Sequence, residues 1–378
     1  MLTIDKVDIS SKAQVNEFVM FHYSLYKNCP QWVPPFISDI KMMMNPNKHP
    51  FYEHSDAEFF IARRDGEVVG RIAGLENKPY NKYHEAHQAV FYLYDTIDDQ
   101  EVSNALFDRV FDWAHKRGLN QVVGPKGFSA FDGYGIQIEG FDHRQMMNMM
   151  NYNFDYYPKL VENKGFEKEV DFVSCFVDAK KFQMPEKILE IARRVEERGK
   201  FKIKRFKDKK ELISWAWPIG EAYNKTFVNN WEYYPFSQNE IKFLVDQLMI
   251  VADHRLIKII TYDDKIVGFL LGFPDISTAM IRQKGDVSLW KPWGVADLML
   301  EMKRSKWISL NGVGVLPEYQ GRGGNALMYS EMVKTVRDFK FEYGELTQVA
   351  ETTKQMRADL RNVGGIEYKN HRVYRRDI

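Results

Sequence analysis

The chain has 378 residues, a length that predicts two domains. Hydrophobic residues make up 44% of it and aromatic residues 14%, which is enough to build substantial cores and excludes a disordered protein. The 53 basic and 52 acidic residues leave a formal net charge of +1, so we expect no nucleic-acid partner and no dedicated surface for an anionic membrane.

The cysteines and the apolar stretches indicate the compartment. Cys29 and Cys175 lie far apart and form no CxxC pair, so neither a disulfide framework nor a zinc site is expected. Residues 1–14 lack a basic segment followed by an apolar core, so we predict no secretion signal. No stretch reaches the roughly 18 apolar residues of a membrane span. The sequence therefore predicts a cytoplasmic protein without an integral membrane segment.

The first half of the chain predicts a helix, a hairpin and then alternating strands and helices. Two alternating apolar runs flank Asp65-Gly66, a pair that supplies positive φ in a hairpin turn. On the first helix we interpret His22 as a residue at the edge of the core rather than as a ligand. The predicted elements are helix 13–28, hairpin 57–75, strand 89–97, helix 99–119, strand 120–125, and a short helix with a final strand within 151–177.

The second half repeats elements of this order. Its hairpin turns at Asp263-Asp264 and has the same place in its half, which indicates an internal repeat with a period near half the chain. Residues 274–306 carry no strong pattern and are long for a connection, so they are a candidate binding loop or lid. We predict domains 1–180 and 181–378. The predicted elements are helix 184–200, strand 201–206, helices 211–227 and 237–251, hairpin 256–273, strand 307–315, strand 344–353, helix 354–365 and strand 366–376.

One stretch of the second half has the pattern of a phosphate-binding turn. The strand over residues 307–315 is ended by Pro317, and residues 320–325 form a glycine-rich turn before apolar residues recur at helical spacing. The N–H groups of such a turn converge, and the helix N-terminus adds partial positive charge, so together they hold a phosphate or diphosphate. Arg322 adds a donor suited to phosphate oxygens. A plain strand-to-helix connection is the structural alternative.

Two familiar phosphate-binding patterns do not fit this turn. A nucleoside-triphosphate loop needs Gly-Lys-Ser or Gly-Lys-Thr at the helix start, whereas Gly324 is followed by Asn325 and Ala326. A dinucleotide-binding fold needs a further glycine at the sixth position and a run of parallel strands. The sequence LPEYQGRGGNALMY instead resembles the loop Gln/Arg-x-x-Gly-x-Gly/Ala of the GNAT acyltransferase superfamily, which grips the diphosphate of acyl-CoA. It departs from that pattern at Asn325, which occupies the last Gly/Ala position.

The resemblance to the GNAT superfamily implies a fold and a co-substrate. The implied fold class is α/β with a mixed sheet, arranged as two tandem GNAT-like domains. The implied co-substrate is acetyl-CoA or a longer acyl-CoA, with Val313 and Val315 contacting the pantetheine and the acyl carbonyl through their backbone. The loop residues that would bind CoA are Gln320, Gly321, Arg322, Gly323, Gly324, Asn325 and Ala326.

The first half has the GNAT order of elements but no matching loop. At the place of a CoA loop, residues 95–102 read DTIDDQEV, with no glycine and four carboxylates. Those charges would repel a diphosphate. We therefore predict a first domain that is GNAT-like in fold and lacks the CoA loop.

Acyl transfer to an amine needs a base for the amine and can use an acid for the leaving thiolate. Glu351, at the end of the strand beside the core strand, is the first candidate base, and a solvated carboxylate at a helix N-terminus is the alternative. Glu232 is the second candidate, because its loop lies where many GNAT members bring in substrate. In many GNAT members a tyrosine of the last helix is the general acid, and Leu360 occupies that place here. Either Tyr368 or Tyr374 takes over the role of the acid, or the reaction needs none.

The nine histidines show no HxxxH or HExxH spacing, so no metal site is predicted. The sequence therefore predicts an acyl-CoA-dependent N-acyltransferase that moves an acetyl or longer acyl group directly from CoA to an amine. The aromatic residues of the first domain permit a small-molecule or lipid-like amine, as in the tandem-GNAT myristoyl transferases. These aromatic residues are Trp32, Phe91, Tyr92, Tyr94, Tyr156 and Tyr157.

Two alternatives to this function stay open. A tandem-GNAT transferase that uses aminoacyl-tRNA is disfavoured by the intact glycine loop and by the lack of a basic excess. The missing tyrosine and the acidic loop of the first domain suggest the second alternative, a non-catalytic acyl-CoA-binding or regulatory protein.

Overall fold

The computed structural model describes residues 1–129, 131–146, 150–228, 230–231, 233–288, 291–362 and 364–378, without the side chains of residues 355 and 362. Within these residues the chain is a mixed α/β protein, which confirms the predicted fold class. The strands are β1 (Leu2–Lys6), β2 (Asp56–Arg64), β3 (Glu67–Glu76), β4 (Gln88–Thr96), β5 (Gln121–Gly124), β6 (Ile136–Glu139), β7 (Glu167–Asp178), β8 (Phe201–Lys204), β9 (Ile257–Tyr262), β10 (Lys265–Pro274), β11 (Trp307–Val315), β12 (Tyr343–Ala350) and β13 (Ile366–Asp377).

Helices separate most of these strands. Among the longer ones, α4 contacts β3, α7 contacts β10 and α11 contacts β9, as their amphipathic patterns predict. The α-helices are α1 (Lys12–Leu25), α2 (Ile37–Met43), α3 (Lys78–His84), α4 (Gln100–His115), α5 (Tyr157–Asn163), α6 (Glu186–Arg198), α7 (Lys209–Thr226), α8 (Gln238–Val251), α9 (Ser277–Gln283), α10 (Pro292–Arg304), α11 (Gly324–Asp338) and α12 (Lys354–Asn362). None of the described helices is long and apolar enough to cross a bilayer.

The chain forms two compact units, and each is assembled from separate segments. Unit 1 comprises Met1–Val173, Ser277–Asp297 and Lys369–Ile378, and unit 2 comprises Ser174–Ile276 and Leu298–Tyr368. The divisions fall inside β7, just before α9, inside α10 and inside β13. The prediction of domains 1–180 and 181–378 treats each half as one contiguous segment and remains a prediction.

Unit 1 is built on a sheet whose strand order is β1-β2-β3-β4-β5-β13. The predicted hairpin is confirmed as β2 and β3, and its turn residues Asp65 and Gly66 have φ of 52° and 91°. The buried core divides between the two faces of the sheet: one cluster surrounds α4, and the other surrounds α1 and α2. Helices on both faces leave the sheet ends as the place for a cleft.

A cleft opens in unit 1 because β4 and β5 separate. These parallel strands pair only at Gln88–Gln121, Ala89–Val122 and Val90–Val123. Three residues farther along β4, Leu93 adopts a left-handed φ of 48°, and the register with β3 shifts between Arg71 and Ala73. The resulting bulge re-aims the end of β4, as bulges commonly do beside functional sites.

Unit 2 repeats this design with the strand order β8-β9-β10-β11-β12. The predicted second hairpin is confirmed as β9 and β10, turned at Asp263 and Asp264 with φ of 47° and 62°. Parallel strands β11 and β12 pair from Trp307–Tyr343 to Leu310–Leu346. Beyond Leu310, the described pairing of β11 is with β10 alone. The edge of residues 311–315 on the β12 side is therefore the one that could face a ligand.

The segment 274–306 contains α9 and α10, which the sequence pattern did not indicate. Within unit 1 it packs on the connection between α1 and α2: the carbonyl of Gly285 accepts the N–H of Ile37 at 3.0 Å. Gly285 has a left-handed φ of 73°, and a Cβ there would lie 2.3 Å from the carbonyl oxygen of Pro35. Only glycine fits this approach. A lid function for the segment stays a prediction.

Candidate functional sites

The glycine loop of unit 2 lies between β11 and α11. Gly321 and Gly323 adopt left-handed φ values of 71° and 86°, which side chains of L-residues rarely adopt. The Gln320 side chain turns back, and its Nε2 donates to the carbonyl oxygen of Val315 at 2.9 Å. Gly323 also lies against α6, since a Cβ there would be 2.7 Å from Val195 and 2.9 Å from Ile191. The loop shape therefore depends on glycine for both its dihedrals and its packing.

The amides of this loop are not used by the protein itself. Among the described residues, the N–H groups of residues 321–326 have no hydrogen-bond acceptor, and no side chain caps α11. Gly321 and Arg322 are exposed, and the Arg322 guanidinium lies 5.3 Å from the ring centre of Tyr319. Free amides at a helix N-terminus carry partial positive charge. The loop can therefore hold an anion such as a diphosphate.

The corresponding helix start in unit 1 is blocked by the protein's own carboxylate. Asp99 caps α4 and accepts the N–H groups of Glu101 at 2.9 Å and Val102 at 3.2 Å. Arg64 forms ion pairs with both Asp99 and Glu101. The N–H groups of Glu101 and Val102, which an anion would use, are thus occupied. The carboxylates of Asp99 and Glu101 also carry two negative charges, which the single positive charge of Arg64 offsets only in part.

A second candidate site is the cleft of unit 1, which encloses about 230 Å³. At its base, Arg71 on β3 donates from Nε to Asp95 Oδ2 on β4 at 2.7 Å. The Nδ1 of His22 on α1 lies 2.9 Å from the same oxygen. Arg71 and Asp95 are both buried. The remaining wall is largely aromatic and apolar, and it includes Trp32, Phe36, Ile40, Met43, Tyr92 and Phe131.

Hydrogen bonds fix the tautomer of His22. The indole Nε1 of Trp32 donates to His22 Nε2 at 3.2 Å, and because an indole N–H can only donate, Nε2 must be the acceptor. Nδ1 then carries the hydrogen and donates to Asp95. Burial lowers the pKa of His22 more than Asp95 raises it, so His22 is neutral. Burial opposes the charge of Asp95, but the electrostatic attraction of His22 and Arg71, together with their hydrogen bonds, outweighs it and keeps the pKa of Asp95 below its usual value.

Two further carboxyl groups line the same cleft without a basic partner among the described residues. Burial raises the pKa of Asp39 to about 6, against a small opposing effect of the Ser38 hydroxyl. Burial also raises the pKa of Asp132 to about 6, and the negative charge of Asp39 adds to this effect. Both carboxylates are therefore held in an environment that disfavours their charge and would favour a cation beside them.

These raised pKa values predict a pH effect on stability. A carboxyl whose pKa is higher in the folded state contributes stability below its unfolded pKa of about 3.8, and this contribution is lost as the pH rises through about 6. The variant Asp39→Asn/Asp132→Asn removes both titrations. We expect the wild type to lose free energy of unfolding relative to this variant between about pH 4 and pH 6. Urea unfolding at each pH measures the difference, and parallel curves for the two proteins would contradict the assignment.

Comparison with known proteins identifies the fold of this chain. No protein-family model matches the chain. A tandem GNAT protein from the clavulanic acid biosynthesis pathway, solved without AcCoA, aligns with 100% of this chain and 98% of its own, at a TM-score of 0.56 and 10% identity. The chain has the tandem GNAT fold. A GCN5-related glucosamine N-acetyltransferase region of a fungal multi-domain β-N-acetylglucosaminidase aligns with 100% of this chain and 38% of its own, at a TM-score of 0.54 and 12% identity.

Two curated proteins are similar to this tandem GNAT chain in sequence over nearly their whole length. A bacterial ceramide synthase of Caulobacter vibrioides is 28% identical over 384 residues, which cover 98% of this chain and 97% of that protein. The protein YghO of Escherichia coli is 24% identical over 377 residues, which cover 97% of this chain and 94% of that protein.

The structure places the predicted GNAT catalytic residues as follows. Glu351 follows the last residue of β12 and is partly buried in the turn before α12. Tyr368 lies on β13 with its ring centre 6.0 Å from that of Phe176. Glu232 lies outside the described residues. Tyr374 is buried in unit 1, where its hydroxyl donates to Glu162 at 2.9 Å, so it is a poor candidate for the acid.

Strand β11, which is predicted to bind the acyl group, also has a polar cluster that was not predicted from the sequence. Where β11 and β12 separate, the Ser309 hydroxyl donates to Asn311 and lies 3.2 Å from the hydroxyl of Thr347. All three side chains are buried. Val315 is buried and Val313 is partly exposed on the same strand. Among the described residues, no group of His, Cys, Asp or Glu could hold a metal ion.

Proposed function

We propose that this protein is an acyl-CoA-dependent N-acyltransferase that joins a long acyl chain to a long-chain amine. The observation that carries the proposal is the glycine loop, in which the amides of residues 321–326 have no acceptor among the described residues. The tandem GNAT fold supports it. The name of the Caulobacter relative supports the choice of substrates, because a ceramide is the amide of a fatty acid with a long-chain amino alcohol.

The residues of unit 2 would act mainly by binding and alignment. The amides of the loop and Arg322 would hold the diphosphate of CoA. The free edge of β11 from Asn311 to Val315 would hold the pantetheine and orient the acyl carbonyl. Fixing both reactants in this way supplies much of the rate of acyl transfer. Glu351 is the proposed base for the amine, with Glu232 as the second candidate and Tyr368 as the proposed acid.

A thermal-unfolding panel tests the donor site. Palmitoyl-CoA at a hundredfold excess over its dissociation constant is expected to add about 2.7 kcal/mol to the free energy of unfolding. S-palmitoyl pantetheine, which lacks the diphosphate, is the matched ligand control and should stabilise much less. Equal stabilisation by both ligands would contradict diphosphate binding at the loop, and no stabilisation by any CoA thioester would contradict the proposal.

A turnover assay tests the reaction itself. Palmitoyl-CoA and a long-chain 2-amino-1,3-diol are expected to release free CoA thiol in step with loss of the primary amine. Acetyl-CoA is compared in the same assay and should react more slowly. Binding of palmitoyl-CoA without thiol release with any amine would favour the non-catalytic alternative.

A further inference from the structure

The cleft of unit 1 has features of a binding site that the glycine loop does not explain. It lies in the unit whose own helix start is capped by Asp99, so it has no matching place for a diphosphate. It nevertheless keeps an open volume of about 230 Å³ with polar groups at its base. A protein interior of ordinary packing density would fill such a space with side chains. The cleft is therefore better explained by a ligand of its own.

The charges around the cleft favour a cation. Asp39, Asp95 and Asp132 line it, and the positive charge that faces them is Arg71. Arg71 is already paired with Asp95, to which it donates at 2.7 Å, and it also donates to the carbonyl oxygen of Phe18 at 3.1 Å. Asp39 and Asp132 form no ion pair with any described residue. Two carboxylates thus face the cavity without a counter-charge.

The other groups of the wall select the kind of cation. The faces of Trp32 and Tyr92 can stabilise a positive charge. The carboxylate oxygens of Asp39 and Asp132 are hydrogen-bond acceptors. These acceptors need N–H donors, which a primary ammonium group has and a quaternary one lacks. The cavity is smaller than the roughly 300–1,000 Å³ of typical ligand pockets, so it suits an ammonium group with a short alkyl chain.

We infer that the cleft of unit 1 binds a primary amine in its ammonium form, with the carboxylates of Asp39 and Asp132 as its acceptors. The aromatic wall would enclose the carbon next to the nitrogen. That this amine is the acyl acceptor rests on the proposed function, whereas ammonium binding does not. His22, Asp95 and Arg71 would form the rigid base of the site.

Calorimetry with hexylamine hydrochloride tests the inference. At about pH 7 the amine, with a pKa of about 10, is protonated. We expect saturable binding of hexylamine and at least about tenfold weaker binding of hexyltrimethylammonium and of n-hexanol. Equal affinity for hexanol would overturn the role of charge, and equal affinity for the quaternary amine would overturn the role of the N–H donors.

Variants locate the binding. Asp39→Asn/Asp132→Asn is expected to weaken hexylamine at least about tenfold, and it should fold because it removes charges whose burial is unfavourable. Asp112→Asn, which changes an exposed carboxylate on α4 away from the cleft, is the matched control and should bind like the wild type. Unchanged binding by the double variant would overturn the inference.

The same proteins separate this inference from the proposed function. The thermal-unfolding panel with palmitoyl-CoA is run on the wild type and on the double variant. Stabilisation by palmitoyl-CoA without hexylamine binding overturns the amine site and leaves the transferase proposal in place. Hexylamine binding without stabilisation by any CoA thioester supports the amine site and overturns the transferase proposal.

Discussion

Replacing Arg71 with methionine is expected to lower the free energy of unfolding by about 3–5 kcal/mol. Arg71 is 1% exposed, and Asp95, to which it donates, is 4% exposed. The substitution keeps an apolar chain but removes the guanidinium, whose Cζ lies 5.0 Å from the ring centre of Phe18. It removes the charge that compensates Asp95 and leaves a buried carboxylate beside a neutral histidine. Denaturant unfolding measures the loss.

The pH dependence of the Arg71→Met variant identifies the cause. Without Arg71 the pKa of Asp95 should rise in the folded state, so the carboxyl contributes stability at low pH and loses it as the pH rises. The deficit of the variant should therefore be larger at neutral pH than near about pH 4. Addition of Asp95→Asn to Arg71→Met should recover part of the loss. A deficit that is independent of pH and of Asp95 would show that lost packing, not charge, is responsible.

Arg63 offers a matched control for Arg71. It lies on the neighbouring strand β2 and pairs with Glu17 at 2.6 Å and with Asp5 at 3.2 Å, but these groups are partly exposed. Exposed ion pairs contribute about 0–1 kcal/mol, since water already stabilises their charges. Arg63→Met is therefore expected to cost about 1 kcal/mol or less. A loss equal to that of Arg71→Met would contradict the role of burial.

Replacing Gly321 with aspartate is expected to weaken palmitoyl-CoA binding by roughly tenfold to a thousandfold. A Cβ on Gly321 meets nothing within 4 Å, so a side chain has room. Aspartate and asparagine both tolerate the left-handed backbone of this residue better than most residues. A new negative charge about 4 Å from a diphosphate charge costs about 1–4 kcal/mol, depending on solvent exposure.

Gly321→Asn is the matched control for this charge. It has nearly the same size and backbone preference as Gly321→Asp and carries no charge. We expect Gly321→Asn to keep most of the affinity for palmitoyl-CoA and most of the turnover, with Gly321→Asp losing both. The difference should shrink at high salt, because screening shortens the reach of an exposed charge. Equal effects of the two variants would contradict diphosphate binding by this loop.

The features that were predictable from the sequence are local in the chain. The hairpin turns at Asp65-Gly66 and Asp263-Asp264 each lie within a few residues, and their residue types tolerate the positive φ that the structure has. The glycine loop is likewise contiguous, and its two left-handed glycines could be expected from the pattern. Short elements such as β1 and α2, with 5 and 7 residues, are too short to show a periodic pattern.

The polar base of the unit 1 cleft was missed because its members are distant in sequence. His22 and Asp95 are 73 residues apart, and Arg71 and Asp95 are 24 apart. His22 is predicted as a satisfied residue at the edge of the core, and its hydrogen bonds with Asp95 and Trp32 agree with this, although the helix pattern does not identify the partners. One signal was available: Arg71 and Asp95 are opposite charges inside apolar strands, and they are directly paired in the register of β3 and β4. Two such charges on neighbouring strands indicate a buried ion pair.

The place of the last ten residues has a consequence for how the protein is made. Lys369–Ile378 belong to unit 1, where Tyr374–Asp377 pair with β5 and Tyr374 is buried in the core. A ribosome synthesises these residues after all of unit 2. During translation the segment Met1–Val173 must therefore wait, with the edge of β5 unpaired and a gap in its core. Unit 1 can be completed only after unit 2 has been made.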